Sequence, residues 1–219
     1  MAHESAIIYI GGDGPDHALA HPHLDGALVI AADSGWEHAI AAGAQPSLLV
    51  GDMDSIRADH LADARARGTT IVEHPRDKDL TDLEIALDAA RDAGARRVHV
   101  VSGGGDRFDH LLAMVHSLAA RADDATVTAQ IGGSRIHILT PRLHVTFAAS
   151  PGDTVSLVPL GGRAKGVSTR GLRWELRRDT LRPFESRGVS NVATHDEVRV
   201  SVRTGVVAII RPDHREDHP

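Results

Sequence analysis

Residues 97–110 read RVHVVSGGGDRFDH: an apolar β-branched run, three glycines, then the start of a helical pattern. A nearly continuous apolar run is what a strand buried on both faces needs. Glycines end it where the chain turns or lets another group approach closely. Working outward, the same punctuation recurs. Ala6–Ile10 ends in Gly11-Gly12, Ala27–Ala32 ends at Asp33, and Leu48–Val50 ends at Gly51-Asp52; Thr69–Val72 and Val127–Ile131 are two further runs. Helical spacing joins Trp36, Ala39, Ile40 and Ala42, then Leu83, Ala86, Leu87 and Ala90, then Leu111, Leu112, Val115 and Leu118. Asp79 or Thr81 is the expected N-cap of the second helix and Gly94 its stop. This alternation predicts an α/β fold with a doubly wound, mainly parallel sheet.

Past Gly132-Gly133 the pattern changes. Short runs follow at Arg135–Leu139, His144–Ala148, Thr154–Val158, Val167–Thr169, Leu172–Leu176, Val198–Val202 and Val206–Ile210. Turn signals at Ser150-Pro151-Gly152-Asp153, Gly161-Gly162 and Thr204-Gly205 separate them. No helical period is found there, which predicts a small all-β sandwich. The expected domains are 1–133 and 134–219, with a polar tail over 212–219.

The 219 residues carry no cysteine, so disulfides and thiolate metal sites are excluded. No apolar run reaches the roughly 18 residues of a membrane span, and the N-terminal run is too short for a signal peptide. A soluble cytoplasmic protein is the expectation. The net charge of −6 argues against nonspecific nucleic-acid binding. That charge is uneven: eleven acids against six bases over 52–92, but eight bases against three acids over 163–187. These are either two solvated faces or a metal site and an anion-facing surface. His17, His21 and His23 lie in a polar stretch with a proline and read as a surface loop.

In a doubly wound sheet, ligands bind at the carboxyl ends of the strands. The residues there are Gly11-Gly12-Asp13-Gly14, Asp33-Ser34-Gly35, Gly51-Asp52-Met53-Asp54-Ser55 and Gly103 to His110. Glycine lets backbone N–H groups meet a phosphate, and carboxylates hold a hard divalent cation. A Mg²⁺–polyphosphate site is the reading. Asp52 and Asp54, two apart in extended backbone, would point the same way; the alternative is that they cap the next helix, a task Ser55 could do alone. Asp79 and Asp82 are three apart at a helix start and would share a face, or simply favour the helix dipole. Lys78 could meet a phosphate oxygen or make a surface ion pair. Arg107 could fork onto phosphate, with Asp109 and His110 orienting water or nucleotide. No Walker loop and no dinucleotide fingerprint is present.

Taken in order, Gly51-Asp52-Met53-Asp54-Ser55, the stretch Lys78-Asp79-Leu80-Thr81-Asp82 with its helix, and Arg107-Phe108-Asp109-His110 resemble the thiamine pyrophosphokinase family. Ala32-Asp33-Ser34-Gly35, Gly171-Leu172-Arg173-Trp174-Glu175-Leu176 and Gly188-Val189-Ser190-Asn191 fit as well. The resemblance implies a Rossmann-like catalytic domain followed by a β-sandwich. It implies transfer of a pyrophosphoryl group from ATP to the hydroxyl of thiamine, with AMP released. Asp52, Asp54, Asp79 and Asp82 would carry Mg²⁺ and phosphates, Asp54, Asp79 and Asp82 being the catalytic set. Asp33, Ser34, Lys78, Thr81, Arg107, Asp109 and His110 would lie on the nucleotide side, and Trp174, Ser190 and Asn191 on the thiamine side. Trp174 would offer cationic thiamine an aromatic face, unless it is a core or interface tryptophan. The implied unit is a homodimer with sites shared between subunits. Two departures stand out: Ser34 where the family has glycine, and Asp106 before the arginine.

Three other functions compete. They are a diphosphokinase for another hydroxymethyl heterocycle such as a pterin, a noncatalytic nucleotide- or vitamin-binding module, and a Mg²⁺-dependent phosphohydrolase.

Overall fold

The structure, a computed structural model, describes residues 3–14, 26–105 and 107–212. His17, His21, His23, Asp106 and the tail past Pro212 lie outside the described residues. The chain divides into two compact units. One takes the chain up to Ser117 together with Asp124–Gly132; the other takes Leu118–Asp123 together with the chain from Gly133 onward.

The first unit alternates strand and helix: β1 (Ser5–Ile10), β2 (Leu28–Ala32), α1 (Gly35–Ala41), β3 (Leu48–Gly51), α2 (Ala58–Ala66), β4 (Thr70–Glu73), α3 (Asp82–Asp92), β5 (Arg97–Ser102), α4 (Phe108–Arg121) and β6 (Thr126–Ile131). Its strands run in the order β4-β3-β2-β1-β5-β6, all of them parallel. The order reverses direction at β1, the place where such sheets bind ligands; the glycine loops after β1 and β5 pack closely there, a Cβ on Gly12 standing 2.4 Å from the Gly104 carbonyl. β1 is buried along its whole length, as a central strand must be. β4 is mostly exposed, because it is the edge. Ile8, Ile30, Leu49 and Val100 are fully or almost fully buried, each contributing on the order of 2 kcal/mol.

Thr81, not Asp79, caps α3. Its hydroxyl accepts from the Glu84 N–H, and the Glu84 carboxylate accepts from the Thr81 N–H at 2.8 Å, a reciprocal capping box. α2 shows no apolar periodicity beyond Leu61 and Ala64, which hid it in the sequence. In α4 only Leu118 is buried; Leu112 and Phe108 stand exposed.

The second unit is antiparallel β: β7 (Ser134–Leu139), β8 (His144–Ala148), β9 (Thr154–Arg170), β10 (Arg177–Leu181), β11 (Asn191–Val192), β12 (Glu197–Ser201) and β13 (Thr204–Pro212). Neighbours run β7-β13-β9-β12-β8, with β10 and β11 also on β9. The expected turn at Gly161-Gly162 does not separate two strands. β9 runs through it as one 17-residue strand, although its register with β13 shifts there, Leu160 facing Val206 and Lys165 facing Thr204, an irregularity that glycine accommodates. Leu172–Leu176 is not a strand; Leu172 makes only an isolated bridge to Ala193. Leu139, Val155, Leu157, Leu181 and Val198 centre its core.

Candidate active site

A cavity of about 490 Å³ opens at the carboxyl ends of the parallel strands. Gly11, Gly12 and Asp13 follow β1, Asp33 and Ser34 follow β2, Ser55 follows β3, and Gly104 and Gly105 follow β5; all line it. Thr81 and Asp82 come from the start of α3, Arg107 from just before α4 and His110 from its first turn, and Leu80, Leu83, Leu111 and Met114 supply apolar walls.

Beside it three carboxylates converge. Asp33, Asp52 and Asp54 each offer an oxygen within 4.8 Å of the other two. Asp33 is 5% exposed and sits in the left-handed region at φ 51°. Its Oδ2 accepts a short hydrogen bond from the Ser55 hydroxyl, while its Oδ1 is buried without a partner. Asp52 and Asp54 do not meet through extended backbone as expected. Met53 takes φ 59° and the chain turns, so that the Asp54 N–H donates to Asp52 Oδ1 at 3.1 Å. Arg76 Nε donates to Asp54 at 2.9 Å. Gly51, at φ +141°, allows the crowding: a Cβ there would stand 3.2 Å from the Asp33 Cβ and 3.4 Å from Asp82 Oδ1.

Lys78 lies between two acids, 3.3 Å from Asp52 and 3.1 Å from Asp82 Oδ1. That Asp82 oxygen is buried and makes an ion pair rather than a well-formed hydrogen bond. Burial pushes the Asp33 carboxyl above its ordinary value; the Ser55 hydrogen bond opposes this, and the charges of Asp82 and Asp52 reinforce it. Burial works the same way on Asp52, but the Asp54 N–H and Lys78 outweigh it and hold that carboxyl low. Burial lowers Lys78, yet Asp82 and Asp52 more than compensate and raise it.

An all-oxygen donor set with one buried, unpartnered carboxylate oxygen fits a hard divalent cation. Asp79 is exposed and stands outside the trio. The Thr81 hydroxyl is taken up by its capping box. Ser34 gives α1 no side-chain cap, so its hydroxyl remains for the cavity it lines. Arg107 and Asp109 are held together by two hydrogen bonds of 2.9 and 2.7 Å, which keep the Asp109 carboxyl far below the usual range. His110 lines the cavity and Asp109 does not. Asp33, expected on the nucleotide side, lines the cavity and also converges with Asp52 and Asp54; its position directly after a strand, like that of Asp52, is the sequence signal for the second role. Arg76 carried no such signal, since only the fold brings it to Asp54.

In the second unit a concavity of about 910 Å³ is lined by Arg173, Trp174, Gly188, Val189, Ser190 and Asn191, among others. Trp174 is 57% exposed, with the Arg173 guanidinium 5.6 Å from its ring centroid. Asn191 is buried and clamps the Trp174 backbone: its Oδ1 accepts from the Trp174 N–H at 3.1 Å and its Nδ2 donates to the Trp174 carbonyl at 2.9 Å. Ser190 is exposed at φ 55°.

Two family models match the chain, the thiamin pyrophosphokinase catalytic domain over residues 23–129 and the thiamin pyrophosphokinase vitamin B1 binding domain over 137–207. The chain belongs to the thiamine pyrophosphokinase family. Among curated relatives, a thiamine pyrophosphokinase 2 of Arabidopsis thaliana is 28% identical over 166 residues, 71% of this chain and 61% of that protein. The chain thus spans about three fifths of the length of the curated relatives it matches. Among solved structures, a thiamine pyrophosphokinase from Bacillus subtilis superposes with TM-score 0.81 at 21% identity, covering 96% of this chain and 99% of that one. One from Geobacillus thermodenitrificans gives 0.78 at 23%, covering 97% and 99%. At these identities the likeness speaks to the thiamine pyrophosphokinase fold.

Proposed function

We propose that this chain transfers a pyrophosphoryl group from ATP to the hydroxyl of thiamine, giving thiamine diphosphate and AMP. The observation that carries the reading is the trio Asp33, Asp52 and Asp54 beside a glycine-floored cavity at the strand ends. Family membership supplies the reaction class. We read the first unit as a Rossmann-like, doubly wound catalytic domain, with residues 1–133 as its span. We read 134–219 as a β-sandwich domain that receives the vitamin. The reversal of strand order at β1 supports the first assignment and the antiparallel ladders the second.

Asp33, Asp52 and Asp54 are the residues that would hold Mg²⁺. Bound there, the ion would neutralise phosphate charge and ease the departure of AMP. The protein's own groups do the rest. Gly11, Gly12, Gly104 and Gly105 line the space for the triphosphate, with Arg107 just before α4 and His110 in its first turn beside it. Ser34 and Thr81 border the nucleotide, Asp109 holds the Arg107 fork in place, and Lys78 fixes Asp52 and Asp82. Asp82 is the acceptor we assign to the thiamine hydroxyl proton, its Oδ1 anchored by Lys78 while it lines the cavity. Asp79 stays on the phosphate side on the family resemblance alone. Trp174 would stack on the cationic vitamin, and Ser190 border it. Asn191 acts by holding the Trp174 backbone.

A homodimer is part of this reading. Each unit leaves large apolar residues exposed, Phe108 and Leu112 in the first and Trp174 and Phe184 in the second, and these are the residues we assign to that interface. No described helix is long and apolar enough to cross a membrane; the cytosol, where ATP is plentiful, is the proposed location. Nucleic acid has no part in this account, given the net charge of −6.

The test is product analysis with Mg²⁺, ATP and candidate acceptors. Thiamine should yield AMP and thiamine diphosphate in equal amounts, with Asp54→Asn inactive and Trp174→Ala raising KM for thiamine more than it lowers kcat. AMP only with a hydroxymethyl pterin, or phosphate release without any acceptor, would replace this reading with one of its rivals.

A further inference from the structure

The basic stretch of the sequence is not absorbed by the carboxylate cavity or by the Trp174 concavity alone. On the exposed face of the second unit's sheet lies another groove, of about 680 Å³. Arg170, Arg177, Arg178 and Arg199 line it against a single carboxylate, Glu175, in a chain whose net charge is −6. The strand register builds this cluster. Arg199 of β12 lies directly opposite Arg170 of β9. Ser201 lies opposite Ser168, and Arg177 of β10 opposite Ser168 from the other side. Like charges facing each other across a ladder cost stability, so the pairing of Arg199 with Arg170 serves something other than folding.

Two of the four arginines are occupied. Arg199 Nε donates to Glu197 at 2.9 Å, and Arg177 stands 3.6 Å from Glu175. Arg170 and Arg178 make no side-chain ion pair or hydrogen bond among the described residues. Arg178 is also strained. It is the extra residue at a bulge between Arg177 and Asp179, and it takes φ 59°, a conformation that favours glycine or asparagine and costs arginine about 1 kcal/mol or more. Its N–H donates to Ser168 Oγ at 3.1 Å, which fixes the bulge. A bulge re-aims a side chain, and this one sets an unpaired guanidinium on the groove.

We propose that this groove is a separate anion site for a small ligand with two or more linked phosphates. Guanidinium forks match phosphate oxygens two at a time. Strands lie roughly 5 Å apart and alternate residues along a strand about 7 Å apart, so the four arginines cover an area wider than one phosphate. Four cations also call for more charge than the roughly −2 of a single phosphate group. A volume of this size suits a small molecule. His144 is the one ring among the lining residues and no Phe, Tyr or Trp joins it, so recognition falls mainly on the phosphates, whether they come from inorganic polyphosphate or from a nucleotide's tail. The site does not rest on the pyrophosphoryl-transfer reading.

Calorimetry in the presence of EDTA isolates it, because without a cation the carboxylate trio repels polyanions. The wild-type protein should bind one equivalent of inorganic tripolyphosphate, with orthophosphate at least tenfold weaker. Arg170→Gln and Arg178→Gln should each weaken tripolyphosphate about tenfold, and Arg163→Gln, outside the groove, should not. Arg178→Gly should lose binding to the same degree while melting at higher temperature, since it relieves the bulge strain. ATP binding as tightly as tripolyphosphate identifies the nucleotide tail as a source; ATP binding much more weakly identifies the inorganic chain. No saturable binding by the wild type, or wild-type affinity in both glutamine variants, overturns the proposal.

Discussion

Asp33 is the residue on which the acidic site turns. Its carboxyl is buried against Asp52 and Asp82, with one oxygen unpartnered, so in the absence of a cation its charge works against folding. The sign follows from its raised folded-state value: the penalty is absent at pH below the ordinary carboxylate range and grows as pH rises through the folded-state value. Asn tolerates φ 51° and keeps an acceptor for Ser55. Asp33→Asn should therefore raise the melting temperature in EDTA at pH 7, while abolishing Mg²⁺-dependent turnover. Thermal unfolding followed by circular dichroism checks the first part; a lower melting temperature than wild type would contradict it.

At the scale of elements, close approach between loops defines the cavity. Gly35 opens α1, and a Cβ there would run into the Tyr9 carbonyl and the Ile10 Cα at the end of β1. Both are backbone atoms of a buried central strand and cannot yield. Gly35→Ala should cost about 1–3 kcal/mol in urea unfolding, whereas Gly162→Ala, with open space around it, should leave stability within about 0.5 kcal/mol. The same elements explain what could be read in advance. β1, β2, β3 and β5 were legible because each is an apolar run stopped by glycine or aspartate. β10 was not, because Arg177–Leu181 is a charged segment paired on only one side, where no apolar face is required. α2 was not, because so few of its residues face inward. Asp52 and Asp54 were legible as a pair, although a turn at Met53 rather than extended backbone joins them. Ser55 and Arg76 act across 22 residues of sequence on Asp33 and Asp54 respectively, and no local pattern announces such contacts.

For the whole molecule, acid stability is set in part by a histidine far from the acidic site in sequence. Burial, then the charges of Arg211 and Arg135, push His137 from 6.5 down to about 4. Its Nδ1 is buried without a partner and its ring stacks on Phe147 at 6.3 Å. Unfolding lets this ring take up a proton, so stability falls as pH drops from about 6.5 to about 4, by up to ~3 kcal/mol from this group. His137→Gln should flatten that slope in unfolding free energy measured across the window; an unchanged slope would place the acid sensitivity elsewhere. Binding of a divalent cation together with ATP tests the account most directly. Mn²⁺ in place of Mg²⁺, followed by the electron spin resonance of the free ion, should bind the wild type far more tightly when ATP is present. Asp33→Asn and Asp54→Asn should each weaken that ternary binding at least tenfold. If both variants bind Mn²⁺ and ATP as the wild type does, the three carboxylates are not the cation site, and the proposed chemistry loses its centre.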